Sequence, residues 1–351
     1  MTLIKSISGI RGTIGGLPGD SLTPIDIVRF TSAYGAQLRS KQVKSSYTVV
    51  IGRDARISGE MASMLVAGTL MGMGIHVIDL GFATTPTVEI GVTHHMADGG
   101  IILTASHNPG QWNALKLLNA SGEFISAEEG AGLLEIVSRD STEFAQATEL
   151  GKISRFSRMD DIHIEAVCAM PLVDIPAIRQ ARFKVAIDCV NSVGGIILPA
   201  LLKKLGVDEI TELYCSPTGL FPHNPEPLPQ HLGDISHEVV KQKADVGFVV
   251  DPDVDRLVIV NEDGSMFGEE YTLVAVADYV LQQKPGNTVS NLSSTLALRD
   301  ITHKYGGSYK AAPVGEVNVV REMKNTQAVI GGEGNGGIIY PALHYGRDAL
   351  A

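Results

Sequence analysis

Residues 47–52 (YTVVIG) are β-branched and apolar almost without a break, the pattern of a strand buried on both faces. A helix is predicted over 58–73 (SGEMASMLVAGTLMGM), with Ser58 as its N-cap and Gly74 as its stop. A second strand (IHVIDLG), a second helix (TPTVEIGVTHHM, with Pro86 near its start) and a third strand (GGIILT) follow. The third strand runs straight into Thr104-Ala105-Ser106-His107-Asn108-Pro109. The same order returns at 183–250, as FKVAID, VGGIILPALLKKLG, EITELY, HLGDISHEVVKQK and DVGFVV. It ends in Asp251-Pro252-Asp253-Val254-Asp255-Arg256. A third round from 288 reads NTVSNL, TLALRDITHKYG, SYKAA, GEVNVVREMK and AVIG, and ends in Gly332-Glu333-Gly334-Asn335-Gly336-Gly337.

Each round reads βαβαβ and closes on a polar loop. The expected fold is therefore α/β: three consecutive βαβαβ domains with mixed, mostly parallel sheets around a central cleft. Ligands bind outside the carboxyl ends of such strands, so each domain would bring one loop to the cleft. The expected domains are 1–150, 151–262 and 263–351, with linkers near 148–182 and 262–287. The stretch 139–182, of mixed charge with Pro171 and Pro176, reads as irregular. The sequence stops at HYGRDALA, where ALA reads as the first turn of a new helix, which suggests a truncated or incompletely recorded chain.

Length and charge narrow the partners. At about 150 residues per domain, 351 residues make two or three. With 28 Lys+Arg against 39 Asp+Glu the net charge is −11, which argues against nucleic acid or an anionic membrane surface. A small anionic substrate stays open, because a local cluster of Arg and Lys can bind one. No apolar run reaches the roughly 18 residues of a membrane span. The N-terminus lacks a signal-peptide core, so a cytoplasmic protein is expected. Cys168, Cys189 and Cys215 are odd in number and without CxxC spacing, and read as reduced thiols.

The loops carry the candidate chemistry. Ser106 sits on a turn beside His107, in no GxSxG setting. It could carry a covalent phosphate or be an ordinary turn residue. Asp251, Asp253 and Asp255 offer three hard oxygens that suit Mg²⁺. A solvated acidic turn is the alternative, though a costly way to end the buried run VGFVV without a cation. Arg256 could bind a phosphate bidentately. Glu333 and Asn335 could meet sugar hydroxyls, or lie in a plain flexible loop. Arg11, within Ser8-Gly9-Ile10-Arg11-Gly12, could reach a phosphate or be exposed. Lys116, ten residues beyond Ser106, lies on a stretch returning toward that loop, unless it is a surface lysine. Arg53 and Arg56, around Asp54, read as salt-bridged and structural, and His94-His95 as a helix end.

Taken together and in this order, SGIRG, TASHNP with a lysine ten residues after its serine, DPDVDR and GGEGNGG resemble the α-D-phosphohexomutase superfamily. That family includes phosphoglucomutases, phosphomannomutases and phosphoglucosamine mutases. The resemblance implies that Ser106 is the phosphoryl donor and acceptor. It implies that Asp251, Asp253 and Asp255 hold Mg²⁺ together with the Ser106 phosphate. Arg256 would contact the reacting phosphate, and Lys116, His107 and Arg11 would serve acid–base and charge-stabilising roles. Glu333 and Asn335 would grip the sugar. The implied reaction moves phosphate between the 1 and 6 positions of a hexose, through a hexose 1,6-bisphosphate. Departures are Pro252 for a common glycine, Asn335 for a serine, Gly337 for a histidine, and Gly315-Glu316 where other branches carry histidine. The glycine-rich loop is similar to a branch often assigned as phosphoglucosamine mutases, with phosphomannomutase or phosphoglucomutase as the alternatives. A Mg²⁺-dependent phosphatase and a non-catalytic sugar-phosphate-binding fragment are the rival readings. The family's fourth, phosphate-binding domain is not supplied after Gly346, so weakened substrate binding is expected.

Overall fold

A β-branched residue crowds a helix but fills a pleated sheet, and the run around Val49, Val50 and Ile51 becomes the strand Tyr47–Arg53. The computed structural model describes residues 1–6, 9–41, 44–139 and 142–351. Ser8 of the SGIRG motif lies outside the described residues. Tyr47–Arg53 belongs to a seven-stranded sheet ordered Ile4–Ser6, Gly9–Thr13, Trp112–Leu118, Gly99–Leu103, Tyr47–Arg53, Ile75–Phe82, Ile153–Arg155. The four from Gly99–Leu103 onward are mutually parallel, and the pairings on the other side are antiparallel. Val49 and Ile51 pack with Phe30 and Tyr34 of the helix Pro24–Lys41 and with Val66 and Leu70 of the helix Gly59–Gly72. Val50 faces the opposite helix, Thr85–His94. That helix begins as expected: the Thr84 hydroxyl accepts from the Thr87 N–H, and Pro86 lies in the first turn. His94 and His95 close its other end.

Two four-stranded sheets follow. One runs Leu257–Asn261, Val246–Val250, Lys184–Asp188, Glu209–Leu213, and the other Tyr309–Ala312, Thr288–Asn291, Ile330–Glu333, Gly337–Ile339. Each has three parallel strands and one antiparallel edge. The three α/β segments and mixed sheets expected from the sequence are therefore present. The antiparallel strands Trp112–Leu118, Leu257–Asn261 and Gly337–Ile339 share one role. Each is the return of the chain after a candidate loop, so every such loop is the tip of a hairpin at a strand's carboxyl end.

Two local expectations change. The 262–287 stretch holds the helix Glu269–Gln283, whose Leu273, Val274, Ala277 and Val280 pack on Ile330 and Ile338. The 139–182 stretch carries the strand Ile153–Arg155 and the helices Met159–Cys168 and Ile175–Ala181. Asp174 caps the last of these and Pro176 sits in its first turn, where a proline is tolerated. At 348–351 the Asp348 N–H donates to the Ile338 carbonyl (2.9 Å) and Asp348 Oδ1 accepts from the Leu350 N–H (2.9 Å).

By its internal contacts the chain divides into two compact units, Met1–Met159 and Asp160–Ala351. The second unit holds both four-stranded sheets. The Leu257 N–H donates to the Gly336 carbonyl (3.0 Å) and the Ala349 N–H to the Val254 carbonyl (3.3 Å), which joins them. Cys189 is buried, Cys168 and Cys215 are half-buried, and all three are free thiols. Among the described residues no helix is long and apolar enough to cross a membrane.

Asp160 opens the helix Met159–Cys168, and burial, with Asp161 adding, pushes its carboxyl up to about 6 although His163 pulls the other way. A carboxyl raised in the folded state binds its proton more tightly there than in the unfolded chain. Its stabilising contribution is present below the unfolded value and fades as pH rises through about 6. Asp160→Asn, which cannot ionise, is expected to gain on the parent protein as pH rises from 4 to 7. Paired melting curves at the two pH values check this.

Candidate active site

In the first unit the strand Gly99–Leu103 ends at Thr104, and the turn that follows is built around one arginine. The Arg56 side chain is fully buried and its Nε donates to Asp54 Oδ2 (3.0 Å). Its Nη atoms donate to the carbonyls of Ser106 and Asn108 (both 2.5 Å), Pro109 (2.7 Å) and Trp112 (3.0 Å). Asp54 Oδ2 also accepts from the Thr104 hydroxyl (2.7 Å), which in turn accepts from the Ser106 N–H (2.9 Å). The structural reading of the GRDAR segment holds for Arg56, and its target is the serine turn. Ser106 has a left-handed backbone (φ 47°), uncommon outside glycine and kept only where surroundings over-determine it. Its Oγ lies 3.3 Å from His107 Nδ1.

Lys116 is reached by the hairpin return and is a buried lysine rather than a surface one. Its Nζ donates to Thr85 Oγ1 (3.4 Å) and lies 5.6 Å from the Phe124 ring centre. Arg11 stands opposite Ala114 in the sheet register, two residues from Lys116, so both project from one face. Arg11 is half-buried, not exposed. The first unit thus gathers Ser106, His107, Lys116 and Arg11 around one strand end and its return.

The second unit gathers the acids. Asp251, Asp253 and Asp255 are each fully buried, with ligand oxygens within 4.8 Å of one another. Val254 between them is left-handed (φ 62°), an outlier for a β-branched residue, and its N–H donates to the Asp251 carbonyl (3.1 Å). Asp251 Oδ1 accepts from the N–H groups of Asp255 (3.1 Å) and Arg256 (3.2 Å). The Arg256 Nε lies 3.8 Å from Asp255 Oδ1. Three buried carboxylates this close need compensating positive charge. Hard oxygens at this spacing suit a small divalent cation, so the group is compatible with a metal site.

Glu333, at the end of Ile330–Glu333, joins this cluster. Its Oε1 accepts from Asn291 Nδ2 (2.7 Å) and the Gly315 N–H (3.0 Å). Its Oε2 accepts from Arg347 Nη1 (2.8 Å), and Arg347 also bonds Asp255 and Glu316. Asn335 caps its own turn, accepting from the Gly337 N–H (3.2 Å). Gly336 is left-handed (φ 83°), and a Cβ there would stand 2.3 Å from the Leu257 carbonyl oxygen, so glycine serves a close backbone crossing here.

Models of phosphoglucomutase/phosphomannomutase α/β/α domains I, II and III match residues 3–144, 161–264 and 268–351. A Thermococcus kodakarensis phosphoglucomutase/phosphomannomutase is 35% identical over 344 residues, spanning 96% of this chain and 74% of that protein. The chain belongs to the phosphoglucomutase/phosphomannomutase family. It is a phosphohexomutase, an isomerase. A Methanopyrus kandleri protein named "Probable phosphoglucosamine mutase" is 31% identical over 339 residues, 96% of this chain and 71% of that one. The crystal structure of a Burkholderia thailandensis phosphoglucomutase/phosphomannomutase family protein superposes with a TM-score of 0.84 at 26% identity, covering 99% of this chain and 75% of that chain.

Several charged residues of this phosphohexomutase that the sequence did not single out lie in buried networks. Arg347 is one. Asp348 is another: its Oδ2 accepts from His163 Nε2 (2.8 Å) and His344 Nε2 (3.1 Å). Burial pushes that carboxyl up, but the two histidines outweigh it and hold it well below the usual range. His223 pairs with buried Asp188 (3.1 Å). Burial pulls that imidazole down, yet the Asp188 hydrogen bond and charge carry it up overall. The available signal was an Arg-Asp pair in a segment that otherwise follows the apolar run GGIIY.

Removing the Arg56 side chain takes the charged partner from buried Asp54 and one donor from each of four carbonyls. Arg56→Met is expected to lose about 3–5 kcal/mol. Urea unfolding followed through Trp112, the only tryptophan and itself bonded to Arg56, measures the loss.

Proposed function

We propose that this phosphohexomutase moves a phosphoryl group between the 1 and 6 positions of a hexose, with Ser106 as donor and acceptor. The observation that carries the reading is the Ser106 turn. A nucleophile that must be charged and discharged repeatedly needs a rigid seat, and this hydroxyl is presented on a left-handed backbone locked by a buried arginine. Lys116, His107 and Arg11 share that strand end and its neighbours. A base there takes the sugar hydroxyl proton, with Lys116 and His107 as the candidates, and the cations offset charge on the transferring phosphoryl. Asp251, Asp253 and Asp255 would hold Mg²⁺, which when bound neutralises developing charge on the phosphoryl oxygens. Arg256 would contact phosphate.

Glu333 and Asn335 are the proposed sugar grip. A carboxylate has about four acceptor positions. Three of them on Glu333 are taken by Asn291, Gly315 and Arg347, which leaves one for a sugar hydroxyl. The reaction would pass through a hexose 1,6-bisphosphate, which also recharges the serine. We take glucosamine 6-phosphate as the substrate, supported by the Methanopyrus relative's name and the glycine-rich sugar loop. Glucose or mannose phosphate is the second reading, favoured by the name of the more similar Thermococcus relative.

Mass spectrometry of the Ser106 peptide, before and after Mg²⁺ with glucosamine, glucose or mannose 6-phosphate, tests the reading. Phosphate is expected on Ser106 and is lost to the preferred sugar. Ser106→Ala is expected to reduce mutase turnover by on the order of 10⁴-fold or more. Inorganic phosphate released without an isomerised sugar would replace the mutase reading with a phosphatase.

A further inference from the structure

Arg347 is 8% exposed and meets three carboxylates, one in the acidic loop, one at the start of the helix Glu316–Thr326 and one at the end of the strand Ile330–Glu333. Its Nη2 donates to Asp255 Oδ2 (2.6 Å), its Nη1 to Glu333 Oε2 (2.8 Å) and its Nε to Glu316 Oε2 (2.9 Å). A planar guanidinium can serve three acceptors in fixed directions, which a lysine ammonium on a flexible stem cannot match. We propose that Arg347 is a positioning residue that couples the acidic loop to the sugar loop, orienting Asp255 toward a metal ion and Glu333 toward a sugar hydroxyl in one rigid arrangement. The proposal rests on the reading of those two loops given above.

Two further observations bear on it. The remaining oxygen of Glu333 is held by Asn291 and the Gly315 N–H, so Arg347 completes a carboxylate otherwise tied to one side only. The stem of Arg347 also fills the space beside Gly337. A Cβ at Gly337 would stand 2.4 Å from Arg347 Cδ and 3.2 Å from its Cγ. A side chain at 337 and the observed arginine therefore exclude each other. The glycine at 337 and the arginine at 347 form one device that places a cation inside the sugar loop from fourteen residues beyond Glu333.

The test is Arg347→Lys, which keeps the charge and loses the fork. Mg²⁺, and separately glucosamine 6-phosphate and glucose 6-phosphate, are titrated into the protein by calorimetry. Both the Mg²⁺ and the sugar-phosphate dissociation constants are expected to rise about tenfold, as when a partner that orients a metal ligand is removed. A lowered melting temperature with both constants unchanged would mean a purely structural arginine and overturn the proposal, as would a change in one constant only. If Arg347→Lys does not fold, Gly337→Ala decides: its methyl displaces the arginine stem without altering any charge, and both constants should again rise together. Asp253→Asn, which leaves Arg347 and its partners in place, is the control. Unchanged Mg²⁺ affinity in that variant would show that the metal reading of the acidic loop is what fails.

Discussion

Among the buried carboxylates of the second unit, Asp251, Asp253, Asp255, Glu316 and Glu333 form one group linked through Asp255 and Arg347, and their surroundings are shaped by the need to balance that charge. Ionised carboxylates taken out of water are tolerable only when paired and hydrogen-bonded. Arg347 answers three of them, Arg256 approaches Asp255, the backbone N–H groups of Asp255 and Arg256 are turned toward Asp251, and that of Gly315 toward Glu333. The left-handed Val254 follows from this demand, because only a sharply wrapped loop aims both N–H groups at Asp251. Two guanidiniums stand against these five carboxylates, a balance compatible with a metal site at the acidic loop.

The first unit solves a related problem with opposite means. Its turn must present a hydroxyl, and no acid stands beside Ser106 in it. One buried arginine is aimed at the turn's carbonyl oxygens and is itself neutralised by Asp54. In both units an arginine far in sequence from the loop sets the loop's shape: Arg56 lies fifty residues before Ser106, and Arg347 lies ninety-two residues after Asp255. Both loops occupy the same structural place, the tip of a hairpin at the carboxyl end of a parallel strand.

Much of this was legible along the chain. The repeating apolar runs marked the parallel strands, because a strand covered on both faces must be apolar throughout. The candidate loops were visible as polar residues breaking those runs, and the spacing of Lys116 from Ser106 corresponds to a hairpin return. Other elements were hidden. The helix Glu269–Gln283 was read as linker, since its acidic start and mixed face resemble a solvated connection until Ile330 and Ile338 are seen beneath it. The bonding of Arg347 and Asp348 was hidden too, because their partners include residues at positions 163, 255, 316 and 333.

Local physics therefore sufficed for the repeating strands and helices and for the kinds of residue at their ends. Apolar periodicity, caps and turn residues act over a few positions and can be read in order. What tertiary structure alone decided is how charge is shared. Whether Lys116 is buried, which arginine serves which loop, and how many acceptor positions of Glu333 stay open all depend on distances between residues ten to nearly two hundred positions apart. Buried charges are balanced by whatever the fold brings within a few ångströms, and nothing in the order of residues records that proximity.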